Sequence, residues 1–200
     1  MQIIFATNNE HKFSEIRNLL GESFILLDLK DAGIEEDIPE DLPTLEGNAL
    51  FKANYIHKMT GMNVFADDTG LEIEALNGKP GVHSARFAGK EKDFRANTKK
   101  VLKLMQGKKN RKARFRTVIA LILNGSEFLF EGTVTGTILL EERGTGGFGY
   151  DPIFVPEGRN KSFAEMSLNE KNRISHRARA FEKLKLFLSL NSAPDNKKIN

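Results

Sequence analysis

The chain has 200 residues, 40% hydrophobic and 28% charged, enough for one sizeable core and typical of an ordinary globule rather than a disordered or fibrous chain. A formal charge of +3 is too small to announce a nucleic-acid binder but suits anionic substrates, the lack of cysteine excludes disulfides, thiolate nucleophiles and cysteine-held metal, and four scattered histidines offer no zinc-like cluster. No run of about eighteen apolar residues can span a bilayer, and the start, Met1-Gln2-Ile3-Ile4-Phe5, lacks the pattern of a signal peptide, so a cytoplasmic protein without a membrane partner is expected.

Residues 2–6 read as a buried strand and 11–20 as a helix with Phe13, Ile16, Leu19 and Leu20 on one face, closed by Gly21. Between them lies Thr7-Asn8-Asn9-Glu10-His11-Lys12. A strand that runs into a helix start presents backbone N–H groups and the positive end of the helix dipole, which together favour an anion. Lys12 would add a mobile charge, and Thr7 and Asn9 would donate to phosphate oxygens; the plainer alternative is that Asn9 caps the helix and Lys12 is solvated. Residues 24–29 form a second strand. The polar loop 31–43 carries Glu35, Glu36, Asp37, Glu40 and Asp41, and composition selects no ligand among them. Residues 45–59 read as a helix with Thr44 as N-cap, Ala49, Leu50, Ala53 and Ile56 inside, and Gly61 past the end; Glu46 in the first turn suits the dipole.

Then comes Val64-Phe65-Ala66-Asp67-Asp68-Thr69-Gly70-Leu71-Glu72-Ile73. A short apolar run ends in two carboxylates, a hydroxyl and a glycine before alternation resumes, the pattern of a strand end that faces a cleft. Carboxylates between apolar runs must be paired, hydrogen-bonded or bound to a cation, because desolvating them alone is costly. Oxygen ligands without His or Cys nearby favour magnesium over zinc; a turn or N-cap pair is the bland alternative. Asn77-Gly78-Lys79-Pro80-Gly81 is a turn, and Arg86 beyond it is expected to pair with a carboxylate or reach phosphate.

Residues 92–106 read as a basic helix, 115–123 as a long strand, Asn124-Gly125-Ser126 as a hairpin turn, and 127–134 and 136–142 as continuing sheet. Residues 108–116 hold six basic residues in nine; a solvated loop is expected, with an RNA-binding surface as the alternative. Four glycines in the six residues 144–149, followed by Tyr150-Asp151-Pro152, let backbone approach a flat ligand, and Phe148 or Tyr150 can stack on a base or else enter the core. Ser167-Leu168-Asn169-Glu170 has capping-box spacing. From Ile174 onward Ala178, Phe181, Leu184 and Leu188 form one stripe, leaving Lys171, His176 and Arg177 to project near its start; residues 192–200 read as a flexible tail.

Strands and helices alternate, yet the hairpins require antiparallel pairs, so the expected fold class is α/β with a long mixed β-sheet flanked by helices, in one domain over residues 1–191. Five short motifs stand in one order: Thr7-x-Asn9-x-x-Lys12, Ala66-Asp67-Asp68-Thr69-Gly70-Leu71, Pro80-Gly81-Val82-His83-Ser84-Ala85-Arg86, Gly147-Phe148-Gly149-Tyr150-Asp151-Pro152 and Ser175-His176-Arg177. Together they closely resemble the inosine triphosphate pyrophosphatase family, which hydrolyses noncanonical purine nucleoside triphosphates such as ITP, dITP and XTP to the monophosphate and pyrophosphate. The resemblance implies an elongated, two-lobed fold with the active site in the cleft, magnesium as cofactor and a homodimer.

Carried over by position, the resemblance implies that Thr7, Asn8, Asn9, Glu10, His11 and Lys12 hold the triphosphate. Asp68 would be proton acceptor and metal ligand, with Asp67 in support, Glu40 as the other ligand and Thr69, in place of a commoner serine, as a substrate contact. Phe148, Gly149, Tyr150 and Asp151 would bind the base, and Lys171, His176 and Arg177 would make the remaining nucleotide contacts. Gly47 stands where many relatives have a second Glu, and His83 replaces a frequent tyrosine. Base choice would come from donors around Tyr150, His176 and Arg177 meeting a 6-oxo group. The alternatives are a pyrophosphatase for another modified nucleotide and an RNA-binding module using residues 108–116.

Overall fold

The computed structural model describes residues 1–20, 24–36 and 38–191; Gly21, Asp37, the side chain of Leu20 and the expected tail 192–200 lie outside the described residues. In chain order the elements are β1 (Gln2–Phe5), α1 (Glu10–Leu20), β2 (Ile25–Leu27), α2 (Leu45–Thr60), β3 (Val64–Ile73), β4 (Pro80–Gly81), α3 (Phe94–Leu104), β5 (Lys112–Leu123), β6 (Ser126–Ile138), β7 (Phe154–Pro156), α4 (Leu168–Asn172) and α5 (His176–Asn191). One seven-stranded sheet joins them in the order β2-β1-β3-β5-β6-β7, with β4 beside β3. β1 lies parallel to β2 and β3, and all other pairs are antiparallel, so the sheet is mixed as the hairpin signals require. Caps set the helix ends: Thr44 Oγ1 accepts from Gly47 N at 3.0 Å, Gly61 closes α2 at φ 68°, and Ser167 with Glu170 forms the capping box of α4.

Three elements run differently from their sequence signals. β3 does not end at its carboxylates; Asp67 and Asp68 sit in mid-strand opposite Ile119 and Val118 of β5, which is long enough to pair all ten β3 residues. β5 starts at Lys112, so half of the basic segment is strand rather than solvated loop. β6 continues unbroken through Gly136 and stops at Ile138, so 139–142 are not strand.

Period-two alternation gives the sheet two apolar faces. Ile4, Val64, Ala66, Val118, Ala120 and Ile122 pack on Ala49, Ala53 and Ile56 of α2. Ile3, Phe5, Phe65, Ile119 and Leu121 meet Ile16 of α1 and Phe181, Leu184 and Leu188 of α5. Each Val, Leu, Ile or Phe among these stabilises by about 1.5–3 kcal/mol when fully buried. Farther along, Leu71, Ile73 and Phe115 pack with Val101 of α3, with Met105 just past its end, and with Phe154 and Phe163. On β3 the residues between Phe65 and Leu71 that share their side are Asp67 and Thr69, a polar break between two apolar clusters.

The break coincides with a gap in the sheet edge. β1 pairs with β3 only at Val64 and Phe65, and β4 only at Leu71 and Glu72. Residues 66–70 have no strand beside them on that edge among the described residues. Gly70 marks its end, because a Cβ there would lie 2.7 Å from the carbonyl oxygen of Gly81 and push β4 away.

Candidate active site

A buried edge carbonyl needs donors wherever the neighbouring strand is missing. That of Asp67 accepts from Lys52 Nζ at 2.7 Å, and Lys12 Nζ lies at 3.4 Å. Lys52 was not singled out from sequence. Its signal was a lysine on the inner stripe of α2, beside Ala49, Ala53 and Ile56. Both lysines line a cavity of about 420 Å³ that opens at the gap.

Alternation sends the two carboxylates to opposite sides, which corrects the expectation of paired acids aimed into one cleft. Asp68 turns toward α2, where Oδ2 accepts from Asn48 Nδ2 at 3.0 Å and Oδ1 from Thr69 N at 2.9 Å, and it lines the cavity together with Glu40. Glu40 pairs with Lys52 at 2.5 Å and, more loosely, with Arg86 at 3.6 Å. Asp67 turns toward α1 and α5 and lies off the cavity wall. Its oxygens meet Lys12 at 2.9 Å, Arg177 Nε at 3.2 Å and the Thr69 hydroxyl at 3.2 Å, so it is held by cations of the chain itself rather than presented to a metal.

From Asp67 a line of buried ion pairs runs under the cavity: Lys12–Asp67, Asp67–Arg177, Arg177–Glu15, Glu15–Lys171 at 2.7 Å and Lys171–Asp151 at 2.7 Å. Three acids alternate with three bases. Lys171, His176 and Arg177, expected to project from the surface, are 2–3% exposed, because α5 starts directly against β5 and β6. Lys12 likewise is fixed rather than mobile. Glu15, the hub of the line, also escaped notice; its signal was an acid one position before the inward-facing Ile16.

These neighbours set the ionisation. Burial pushes the Asp67 carboxyl up, but Lys12, Arg177 and Lys52 outweigh it and hold it well below the usual carboxylate range. Burial lowers Lys12 by more than Asp67 raises it. Lys52 is lifted, since Glu40, Asp68 and Asp67 together overcome burial, and Glu40 is depressed because Lys52 and Lys12 do the same in reverse. Asp68 goes the other way: burial raises it, Lys52 and Lys12 offset only part, and Glu40 adds repulsion. His176 falls well below its ordinary value through burial and the nearby Arg177 and Lys171, so its ring is neutral. That ring stacks on Phe115 at 4.5 Å and its Nδ1 has no hydrogen-bond partner among the described residues, although the residue lines the cavity.

The far end of the cavity is aromatic. The Phe148 ring is stacked by His11 at 5.1 Å and 10° and touched by Phe94 at 5.8 Å, with Lys171 Nζ 4.9 Å and Arg177 Cζ 5.5 Å from its centroid. Asp151 holds this loop by accepting from Phe148 N at 2.9 Å, and a Cβ on Gly147, at φ 67°, would collide with that carboxylate. Tyr150 lines the cavity as well, but its hydroxyl is committed. Its hydroxyl donates to the carbonyl of Ser84 at 2.8 Å and its ring belongs to the apolar cluster beyond the break. Gly149 lines the wall, with its carbonyl accepting from Thr98 at 3.2 Å.

At the start of α1, Asn9 Oδ1 accepts from His11 N at 3.0 Å and Lys12 N at 3.2 Å, and Thr7 Oγ1 accepts from Asn9 N at 3.2 Å. Two helix-start N–H groups expected to meet a ligand are thus capped by the chain; the dipole and Lys12 remain. Thr7, Asn8, Asn9 and Glu10 line the cavity, whereas His11 reaches its aromatic end. Half of the basic residues of segment 108–116, its three arginines, are committed elsewhere. Arg111 donates to the carbonyls of Met105 and Ile138, Arg114 pairs with Glu72, and Arg116 with Glu131 and Glu46, which leaves an RNA-binding reading short of cations.

Among the described residues no three His, Cys, Asp or Glu side chains converge as a metal cage. Asp68 and Glu40 bring two hard oxygen donors to one cavity, close enough to repel, and two carboxylates completed by phosphate oxygens and water suit magnesium. Among the same residues no helix is long and apolar enough to cross a membrane.

A family model described as Ham1 family matches residues 3–187. A protein of Porphyromonas gingivalis named dITP/XTP pyrophosphatase is 54% identical over 188 residues, covering 94% of this chain and 97% of its own. One of the same name from Flavobacterium johnsoniae is 50% identical over 184 residues, covering 92% and 96%. Among solved structures, the Staphylococcus aureus Ham1 protein superposes with a TM-score of 0.87 at 35% identity, covering 96% of this chain and all of its own. A nucleoside-triphosphatase / dITP/XTP pyrophosphatase from Mycobacterium abscessus gives 0.75 at 40% identity, covering 92% and 98%.

Proposed function

The chain belongs to the Ham1 family, and from there we propose that it hydrolyses noncanonical purine nucleoside triphosphates, ITP, dITP and XTP, to the monophosphate and pyrophosphate with magnesium as cofactor. One observation carries the reading. A single cavity joins an open sheet edge, with two fixed lysines and two carboxylates, to an aromatic end with a buried, neutral histidine whose Nδ1 has no partner. A nucleotide has the same two ends.

Hydrolysis joins a water oxygen to the α-phosphorus and breaks the bond to the bridging oxygen, which leaves with pyrophosphate. Asp68, fixed on the cavity wall by Asn48 and Thr69 N, accepts the water's proton. Lys12, Lys52 and the start of α1 stand fixed where phosphate charge gathers and need no reorganisation during the step. Asp68 and Glu40 would hold magnesium, which when bound offsets charge on the phosphate oxygens. The stacked rings of Phe148 and His11 form the aromatic wall for the purine, and Nδ1 of His176 with the guanidinium of Arg177 supplies donors to a 6-oxo group. An adenine amino group there would leave a buried donor unmet, at about 1–3 kcal/mol, so ATP should be disfavoured by about ten- to a hundredfold.

Incubating the purified protein with magnesium and ITP, XTP, GTP or ATP, and resolving products by ion exchange, tests this. Inosine monophosphate and pyrophosphate, with ATP nearly untouched, is the expected result; GTP, which carries the same 6-oxo group, reports whether the 2-position is read as well. Hydrolysis of all four overturns the base reading, and no turnover of any overturns the activity. The resemblance extends the proposal to a cytoplasmic homodimer, which sedimentation and fractionation check.

A further inference from the structure

Five cationic side chains line the cavity: Lys12, Lys52, Lys92, Lys171 and Arg177. Four already pair with carboxylates. Lys92 alone has no carboxylate within ion-pair distance among the described residues, although its charge helps to hold the Glu40 carboxyl low. A neutralised cation positions groups; one without a counter-charge attracts an anion.

The backbone of Lys92 is held with it. Its φ is 52°, a region that favours glycine, yet a lysine stands there. The next residue, Asp93, caps α3 by accepting from Arg95 N at 2.8 Å and Ala96 N at 3.1 Å. Asn97 donates to the carbonyl of Ala85 at 2.9 Å, and Thr98 donates to that of Gly149, which ties α3 to both sides of the cavity. Lys92 is therefore carried on an anchored helix start, exposed at the rim, while Asp68 lies buried within. A triphosphate with its α-phosphorus at Asp68 would have its remaining phosphates within the same cavity that Lys92 lines.

We propose that Lys92 binds the terminal phosphates of the nucleotide, the pair that leaves as pyrophosphate. The assignment rests on the pyrophosphohydrolase reading and adds to it a phosphate contact from α3. An exposed charge-assisted contact, partly screened, is worth about five- to tenfold in affinity.

The test compares the parent protein with Lys92→Ala, Lys92→Gly and Lys92→Arg, with magnesium, measuring kcat and KM for ITP and inhibition by pyrophosphate and by inosine monophosphate. Lys92→Ala should raise KM and the pyrophosphate inhibition constant about five- to tenfold, keep kcat within about twofold and leave monophosphate inhibition unchanged. Lys92→Arg should restore most of the affinity. Lys92→Gly should show the same loss with no drop in Tm, since glycine accepts this φ without strain. Unchanged pyrophosphate inhibition in a turning-over enzyme overturns the proposal, and equal weakening by both products overturns the assignment to the terminal phosphates. If the parent does not turn over ITP, the functional reading fails instead; calorimetric titration of pyrophosphate into parent and Lys92→Ala then decides about Lys92, equal affinities overturning it.

Discussion

Asp67 and Asp68 are neighbours in sequence with opposite surroundings, so the same substitution should have two different effects. Asp68→Asn removes the carboxylate proposed as proton acceptor from the cavity wall while Asn48 and Lys52 stay in place. Turnover of ITP should fall by about 10²–10⁴, with nucleotide binding retained in an equilibrium titration. Asp67→Asn leaves Lys12 and Arg177 buried without their shared counter-charge, and should cost about 3–5 kcal/mol of stability, read as a lower Tm and urea midpoint. A variant pair that behaves alike in both assays would contradict the division of labour. Lys52 combines both roles. Lys52→Met keeps the stem but leaves the Asp67 carbonyl and Glu40 without that donor, so it should both raise KM for ITP and destabilise by about 1–3 kcal/mol.

At the scale of elements, the loop from Gly144 to Asp151 shows how little space the aromatic end leaves. Gly147→Ala forces a Cβ into the carboxylate that anchors Phe148 N and Lys171, so KM for ITP should rise and Tm fall together; an unchanged KM would detach Phe148 from the base. What the sequence made legible here was local. The caps of α2 and α4 and the hairpin after Leu123 follow from chemistry within a few residues, and each is found where it was expected. The site was legible as motifs but not as geometry. The gap in the sheet edge depends on where β1 stops and β4 starts, a relation between segments far apart in the chain. For the same reason Lys171 and Arg177 read as surface charges: their partner Glu15 lies more than 150 residues away. Tyr150 lines the cavity as expected, but that its hydroxyl is met by the carbonyl of Ser84 is something no local pattern announces.

For the whole molecule, His176, Glu15 and Asp67, all held below their ordinary values, make folding stability fall as pH falls, while Asp68 and Asp151, raised by burial, oppose part of that loss in the acid range. His176 has its folded pKa pushed down, so as pH falls below 6.5 the unfolded chain takes up a proton that the folded ring refuses, and stability is lost. Glu15 and Asp67 are also depressed. Their contributions are fully present above their ordinary values of 4.5 and 3.8 and are lost as pH falls from there toward the folded values. Stability should therefore fall in two limbs, a shallow one below neutrality and a steeper one in the acid range. Each refused proton contributes about 1.4 kcal/mol per pH unit. Scanning calorimetry with chelator present, from about pH 7.5 downward, reads both limbs. His176→Phe, which keeps a ring against Phe115, should abolish the upper limb and leave the lower. Glu15→Gln should flatten the lower limb while lowering Tm at neutral pH, because Lys171 and Arg177 lose a counter-charge they share. An upper limb that survives in His176→Phe would mean that the histidine protonates within the fold, and the neutral ring on which the choice of base depends would be lost with it.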